Sequence, residues 1–276
     1  MNIKFKDFKK YLNRIFFKKK KKIPYSYFKY FDRNEKITCL ETHKNNVHLL
    51  YLHNSEVFRK FSTSRAGIKK IDSENKGLIW YCNRTKTNKK SVIKKYYKEK
   101  NFAYIDIEKI KGKMIKPWGS LEKNFIFVKQ VINHYKKTFY KTKFSKIHGD
   151  LTLANILFYK NKIFLIDWEF YGANKKIWGY DIVYLVLSSI SLPYLAKKNY
   201  SIKDTDKKLF IILWKKLIDM NINKKLIYNP FDYFKKELSQ DKFLNSNSRL
   251  SKRKFFPLYT PKIFQKKIKN MIGSLK

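Results

Sequence analysis

Apolar positions change their spacing twice along this chain. In the first 22 residues Phe5, Phe8, Leu12 and Ile15 recur at three- and four-residue intervals among lysines, and the pattern stops at a lysine run before Pro24. That spacing predicts a basic amphipathic helix, able to dock its apolar stripe on the protein or to lie on an anionic membrane surface. From about residue 37 to Gly112 the apolar stretches become short, and 47–52, 56–61 and 102–110 read as strands of a small sheet. Within 68–81 the positions Ile71, Glu74, Leu78 and Tyr81 return to helical spacing, which inserts one helix into the sheet region. Beyond Gly112 helices dominate: 121–139, 180–197 and 207–220, with weaker candidates at 231–238 and 261–272. There is no internal repeat. The expected architecture is α+β: an extension over 1–30, a small antiparallel-sheet lobe over 31–112, and a larger, mainly helical lobe over 113–276.

Between the two regimes lies a segment whose geometry follows from counting. In KIHGDLTLANILFYKNKIFLIDWEF, starting at Lys146, the apolar runs 156–159 and 163–166 are separated by Lys160, Asn161 and Lys162, which predicts a hairpin with a three-residue turn. Asn155 and Asp167 lie equally far from Asn161, so regular antiparallel pairing sets them opposite each other, with Cβ atoms about 5 Å apart. An amide oxygen beside a carboxylate is a hard donor pair suited to magnesium, which completes its octahedron with phosphate and water. Asp150 precedes the hairpin and can reach the same open end, where a carboxylate can accept the proton of an attacking hydroxyl. His148 reads as a brace for that loop, and Gly149 as relief of backbone strain.

Composition limits what such a site can serve. Of 276 residues 43% are hydrophobic and 17% aromatic, enough for a core and against disorder throughout. The net charge is +43, almost all of it from lysine, since only seven of the 64 basic residues are arginine. Enrichment in Lys, Asn, Ile, Phe and Tyr with little Ala, Gly or Pro is what AT-rich codons produce, so part of this charge is genomic in origin. The field still attracts anionic lipids, nucleic acid and phosphorylated molecules. Cys39 and Cys82 have no metal-knuckle or disulfide spacing, so a reducing, cytoplasmic compartment is expected, with peripheral contact at a membrane face left open. The uncharged stretch 182–195 falls about a third short of a membrane-spanning helix and contains Pro193. No secretory signal is expected at the amino terminus.

The run His148-Gly149-Asp150-Leu151, then Asn155-Ile156-Leu157 and Ile166-Asp167-Trp168-Glu169, resembles the aminoglycoside phosphotransferase and choline kinase family. The resemblance covers 147–185 well and the small lobe more loosely. It implies a two-lobed protein kinase-like fold and ATP-dependent phosphorylation of a hydroxyl, with Asp150 as catalytic base and Asn155 and Asp167 on magnesium. Gly179-Tyr180-Asp181 resembles the family's later aspartate, which implies a loop-supporting role for Asp181. Glu169 has two readings, loop support and metal ligation, of which loop support is preferred.

The small lobe must supply a cation for the triphosphate, paired to a helix glutamate. Arg59 and Lys60 are the candidates and Glu74 the partner. Adjacent strand residues point to opposite faces, so register decides between the two bases, and the sequence leaves that register open. Related small-molecule kinases often carry arginine here, so Arg59 is preferred. The turn at 41–46 would cover the phosphates, and 107–112 resembles the adenine-binding linker.

Few acidic residues follow Asp181, which disfavours cationic acceptors such as aminoglycosides and, less strongly, choline or ethanolamine. A neutral or anionic acceptor, a sugar or cell-envelope precursor, fits better. The alternative class is a non-catalytic scaffold that binds anionic membrane or nucleic acid. Arginine scarcity and the absence of a nucleic-acid motif speak against specific nucleic-acid binding. A protein kinase is disfavoured because no arginine precedes Asp150 and no D-F-G follows. The oligomeric state is open.

Overall fold

The computed structural model describes residues 36–42, 47–139, 144–160, 162–171, 176–197, 201–240 and 260–275. The expected amino-terminal helix, and residues 43–46 of the expected phosphate-covering turn, lie outside the described residues. The chain forms two compact units, Met1–Ile110 and Lys111–Lys276.

The first unit is built on a five-stranded antiparallel sheet of β1 (Ile37–Thr42), β2 (His48–Leu52), β3 (Val57–Ser62), β4 (Ile93–Lys98) and β5 (Ala103–Glu108). The spatial order is β1-β2-β3-β5-β4. Helix α1 (Arg65–Thr85) connects β3 to the edge strand β4. It starts because the Ser64 side chain accepts a hydrogen bond from the Gly67 amide at 3.0 Å, and it ends at Lys86, whose φ of 55° turns the chain left-handed. These caps extend it beyond the apolar repeat at 68–81. Ile68, Ile71, Glu74, Leu78 and Tyr81 are all buried and share one helical face. Asp72 ties α1 to β4, accepting from the Tyr96 hydroxyl at 2.7 Å and lying 3.3 Å from the Lys98 ammonium.

The other side of this sheet carries a cluster of Leu50, Leu52, Val57, Phe61, Phe102 and Tyr104. Strand β4 carries no simple alternation of apolar and polar residues. It reads Ile-Lys-Lys-Tyr-Tyr-Lys, and its lysines keep an exposed edge from pairing with another chain.

The second unit contains β6 (Lys113–Met114), β8 (Ile156–Tyr159) and β9 (Lys162–Leu165) in the order β6-β8-β9, and a two-stranded pair of β7 (Phe144–Ser145) and β10 (Lys176–Ile177). The rest is helical: α2 (Leu121–Phe139), α3 (Tyr180–Lys197), α4 (Asp204–Ile218), α5 (Lys224–Tyr228), α6 (Pro230–Gln240) and α7 (Lys262–Gly273). Every residue of α3 from Tyr180 to Tyr194 is buried, so this helix is apolar all round because other elements surround it. Helices α2 and α4 pack on it and on each other. Asp206 fastens them, accepting from the Glu122 amide of α2 at 3.0 Å and from the Tyr194 hydroxyl of α3 at 2.7 Å. Helix α7 docks through Phe264, Ile268 and Ile272, four residues apart. No described helix is long and apolar enough to cross a membrane.

The fold is thus α+β in two units, with the antiparallel sheet in the first and seven helices in all among the described residues. The hairpin of β8 and β9 departs from the expected register by one residue. Ile156 pairs with Leu165 and Tyr159 with Lys162, leaving a two-residue turn instead of three. Lys160 adopts a φ of 43°, the left-handed backbone that tight hairpin turns need to match strand twist. Lys162 therefore joins the strand, although its polarity placed it in the turn.

Candidate active site

The loop from Ile147 to Leu153 enters the β8–β9 hairpin through a short 3-10 turn at Leu153–Asn155. Its apolar residues Ile147, Leu151 and Leu153 are buried, which anchors the loop at both ends of Asp150. Gly149 has a φ of 87°, and a Cβ there would sit 2.6 Å from the Phe170 Cβ. Both the backbone and the space therefore require glycine.

Asp181, in the first turn of α3, accepts the His148 amide at 2.8 Å on one carboxylate oxygen and the Gly149 amide at 3.0 Å on the other. Burial is the largest influence on its carboxyl and, against the two amide donors, pushes its pKa up to about 6. His148 braces the loop from the other side. Its Nε2 donates to the Ile166 carbonyl at 2.7 Å, while its Nδ1 accepts from the Asp150 amide at 3.4 Å. The ring also packs against Trp168, with centroids 4.6 Å apart.

Asn155 joins the loop to the hairpin. Its side-chain nitrogen donates to the Asp150 carbonyl at 2.7 Å, and its own carbonyl accepts from the Ile166 amide at 3.0 Å. Since only the amide nitrogen can donate, the orientation of the side chain is defined, with Oδ1 as its oxygen donor. The register makes Ile166, rather than Asp167, the residue opposite Asn155, which corrects the facing arrangement expected from the sequence. Asp167 follows with a φ of 64°, left-handed backbone in a residue other than glycine. This breaks the alternation of the strand, so pleat parity no longer dictates where Asp167 points. Strained backbone of this kind costs about 1 kcal/mol or more and collects at functional sites.

Asp150 itself is partly exposed. The Tyr184 hydroxyl, three residues beyond Asp181 on α3, donates to its Oδ1 at 3.2 Å. Sequence reasoning did not single out Tyr184. The available signal was its position one helical turn after Asp181, on the face that meets the loop.

In the first unit the bases separate. Lys60 places its ammonium 2.9 Å from Glu74 Oε2. Arg59 instead grips Asp106 with two bonds of 2.6 and 2.7 Å and lies 4.2 Å from the Tyr104 ring centre. The preference for Arg59 as the partner of Glu74 is corrected, because α1 covers the sheet face onto which Lys60 points.

The donor set that could hold a cation in the second unit is the Asn155 amide oxygen and the Asp167 carboxylate. No group of three or more His, Cys, Asp or Glu side chains is arranged to hold a metal among the described residues. No protein-family model matches the chain, and no curated protein matches it.

Proposed function

We propose that this chain is a phosphotransferase of the aminoglycoside phosphotransferase and choline kinase type, with a kinase-like fold, moving the terminal phosphate of ATP or another nucleoside triphosphate onto a hydroxyl acceptor. The observation that carries the reading is the Asn155 bridge. One residue couples the loop that bears Asp150, through its side-chain nitrogen, to the chain leaving β9 toward the left-handed Asp167, through its backbone carbonyl. A hairpin that served only as structure would have no use for a strained aspartate just beyond its second strand, beside a doubly braced loop.

In this reading Asp150 accepts the proton of the acceptor hydroxyl as its oxygen bonds to the terminal phosphorus and the bond to the leaving nucleoside diphosphate breaks. Asn155 and Asp167 are hard oxygen donors and would hold magnesium here. Magnesium, when bound, offsets the negative charge of the transferring group. Lys60, oriented by Glu74, is the cation for the triphosphate. Asp181 and His148 touch neither reactant and hold the loop in place.

The net charge of +43 favours a neutral or anionic acceptor such as a sugar or cell-envelope precursor over an amino alcohol or aminoglycoside. The same charge supports one rival, a non-catalytic protein of this fold adsorbed on anionic membrane or nucleic acid. The test is acceptor-dependent nucleotide consumption over a panel of sugars, amino alcohols and aminoglycosides, comparing wild type with Asp150→Ala. Turnover that falls by about 10²- to 10⁴-fold in the variant is expected. No turnover on any acceptor, together with no binding of magnesium-nucleotide, would leave the rival standing alone.

A further inference from the structure

Helix α3 does two things at the candidate site, and only one follows from its aspartate. Its first turn presents Asp181 to the loop backbone, and its next turn presents Tyr184 to the Asp150 side chain. The Tyr184 ring is 1% exposed and packs edge-on against Phe234 of α6, with centroids 5.9 Å apart. Phe234 meets Tyr180 in the same manner at 4.8 Å. A ring enclosed in this way cannot follow a moving carboxylate, so its hydroxyl is a fixed donor at 3.2 Å from Asp150 Oδ1. The backbone of Asp150 is fixed separately, by Asn155 at its carbonyl and His148 at its amide. Neither of those bonds restrains rotation of the side chain.

The geometry points to Tyr184 as a positioning residue for Asp150. It selects one rotamer of the carboxylate by engaging Oδ1, and so orients the group that takes the proton. The role in transfer rests on the phosphotransferase reading, whereas the contact does not. Two properties make it separable from packing. The phenol ring serves the α3–α6 contact and the hydroxyl serves Asp150, so Tyr184→Phe removes one and keeps the other.

Two measurements on the full-length protein decide the matter. The first is the side-chain carboxyl NMR signal of Asp150, assigned by its loss in Asp150→Ala. It is expected to move in Tyr184→Phe, and an unmoved signal overturns the inference whatever the activity. The second uses any acceptor that the wild type phosphorylates. Here kcat is expected to fall about tenfold or more with KM unchanged, a loss in keeping with one hydrogen bond to a charged group. No further fall is expected when Tyr184→Phe is added to Asp150→Ala. Replacing Tyr184 with para-aminophenylalanine, which restores a donor at the same place, is expected to recover kcat. A variant with wild-type kcat, or with KM and kcat changed alike, overturns the inference. A moved signal in a protein that turns over no acceptor leaves the positioning contact standing and removes the phosphotransfer reading instead.

Discussion

Asp181 is wholly enclosed, and both of its carboxylate oxygens are engaged by backbone amides. Enclosure raises its pKa from 3.8 to about 6, so the folded protein holds the proton more tightly than the unfolded chain does. The stability this group contributes is therefore present below about pH 4 and is lost as pH rises through about 6, a change of about 3 kcal/mol. Urea unfolding of wild type and Asp181→Asn between pH 4 and 7 checks this. The advantage of the wild type is expected to shrink by that amount as pH rises, and a constant difference would contradict it. Gly149 gives a second prediction at this scale. Gly149→Ala meets both the positive φ and the Phe170 side chain. It is expected to cost about 2–4 kcal/mol and to weaken the loop, seen as a lowered Tm and faster amide exchange at His148 and Asp150.

At the scale of elements, β3 displays its two neighbouring bases on opposite faces, and the side on which α1 lies gives them different work. Lys60 is the counter-charge of a glutamate whose side chain is 1% exposed, whereas Arg59 spans β3 and β5 through Asp106 and stacks on Tyr104. Lys60→Met is expected to weaken magnesium-nucleotide binding by about tenfold or more and to lower stability by about 3 kcal/mol, because it strands the Glu74 charge. Arg59→Lys keeps the charge but loses the two-bond fork and the stacking. It is expected to lower stability by about 1–2 kcal/mol and to leave nucleotide affinity as in wild type. Titration calorimetry with magnesium-ATP separates the two, and equal loss of affinity in both variants would refute the division of labour.

Across the whole molecule the dominant property is charge. With a net charge of +43 the compact state repels itself, and the few ion pairs among the described residues, such as Asp232 with Lys269 at 3.1 Å, are mostly exposed and weak. Salt shortens the reach of that repulsion from about 30 Å at 0.01 M to about 8 Å at 0.15 M. The Tm is expected to rise by roughly 2–6 °C over that range in scanning calorimetry, in keeping with a gain of about 1–2 kcal/mol. A Tm that falls with salt would mean that attractive pairs outweigh the net repulsion.

How much of this was legible in the chain differs by element, for physical reasons. The helices at 121–139 and 180–197 were readable because long apolar patterns have clear ends, and α1 was readable up to its caps. Strand β4 was not, because an edge strand lined with lysine shows no simple alternation. Chemistry-bearing types at short spacing, Asp150, Asn155 and Asp167, were visible in the sequence, and so was the support expected from Asp181. The one-residue register of the hairpin depended on a left-handed turn at Lys160, which a lysine does not advertise. Pairing across elements was decided by tertiary structure alone. Lys60 rather than Arg59 meets Glu74 because α1 lies on one face of the sheet, and Tyr184 reaches Asp150 because α3 is held against the loop. Local sequence encodes period and residue type, but which faces meet depends on the packing of the whole chain.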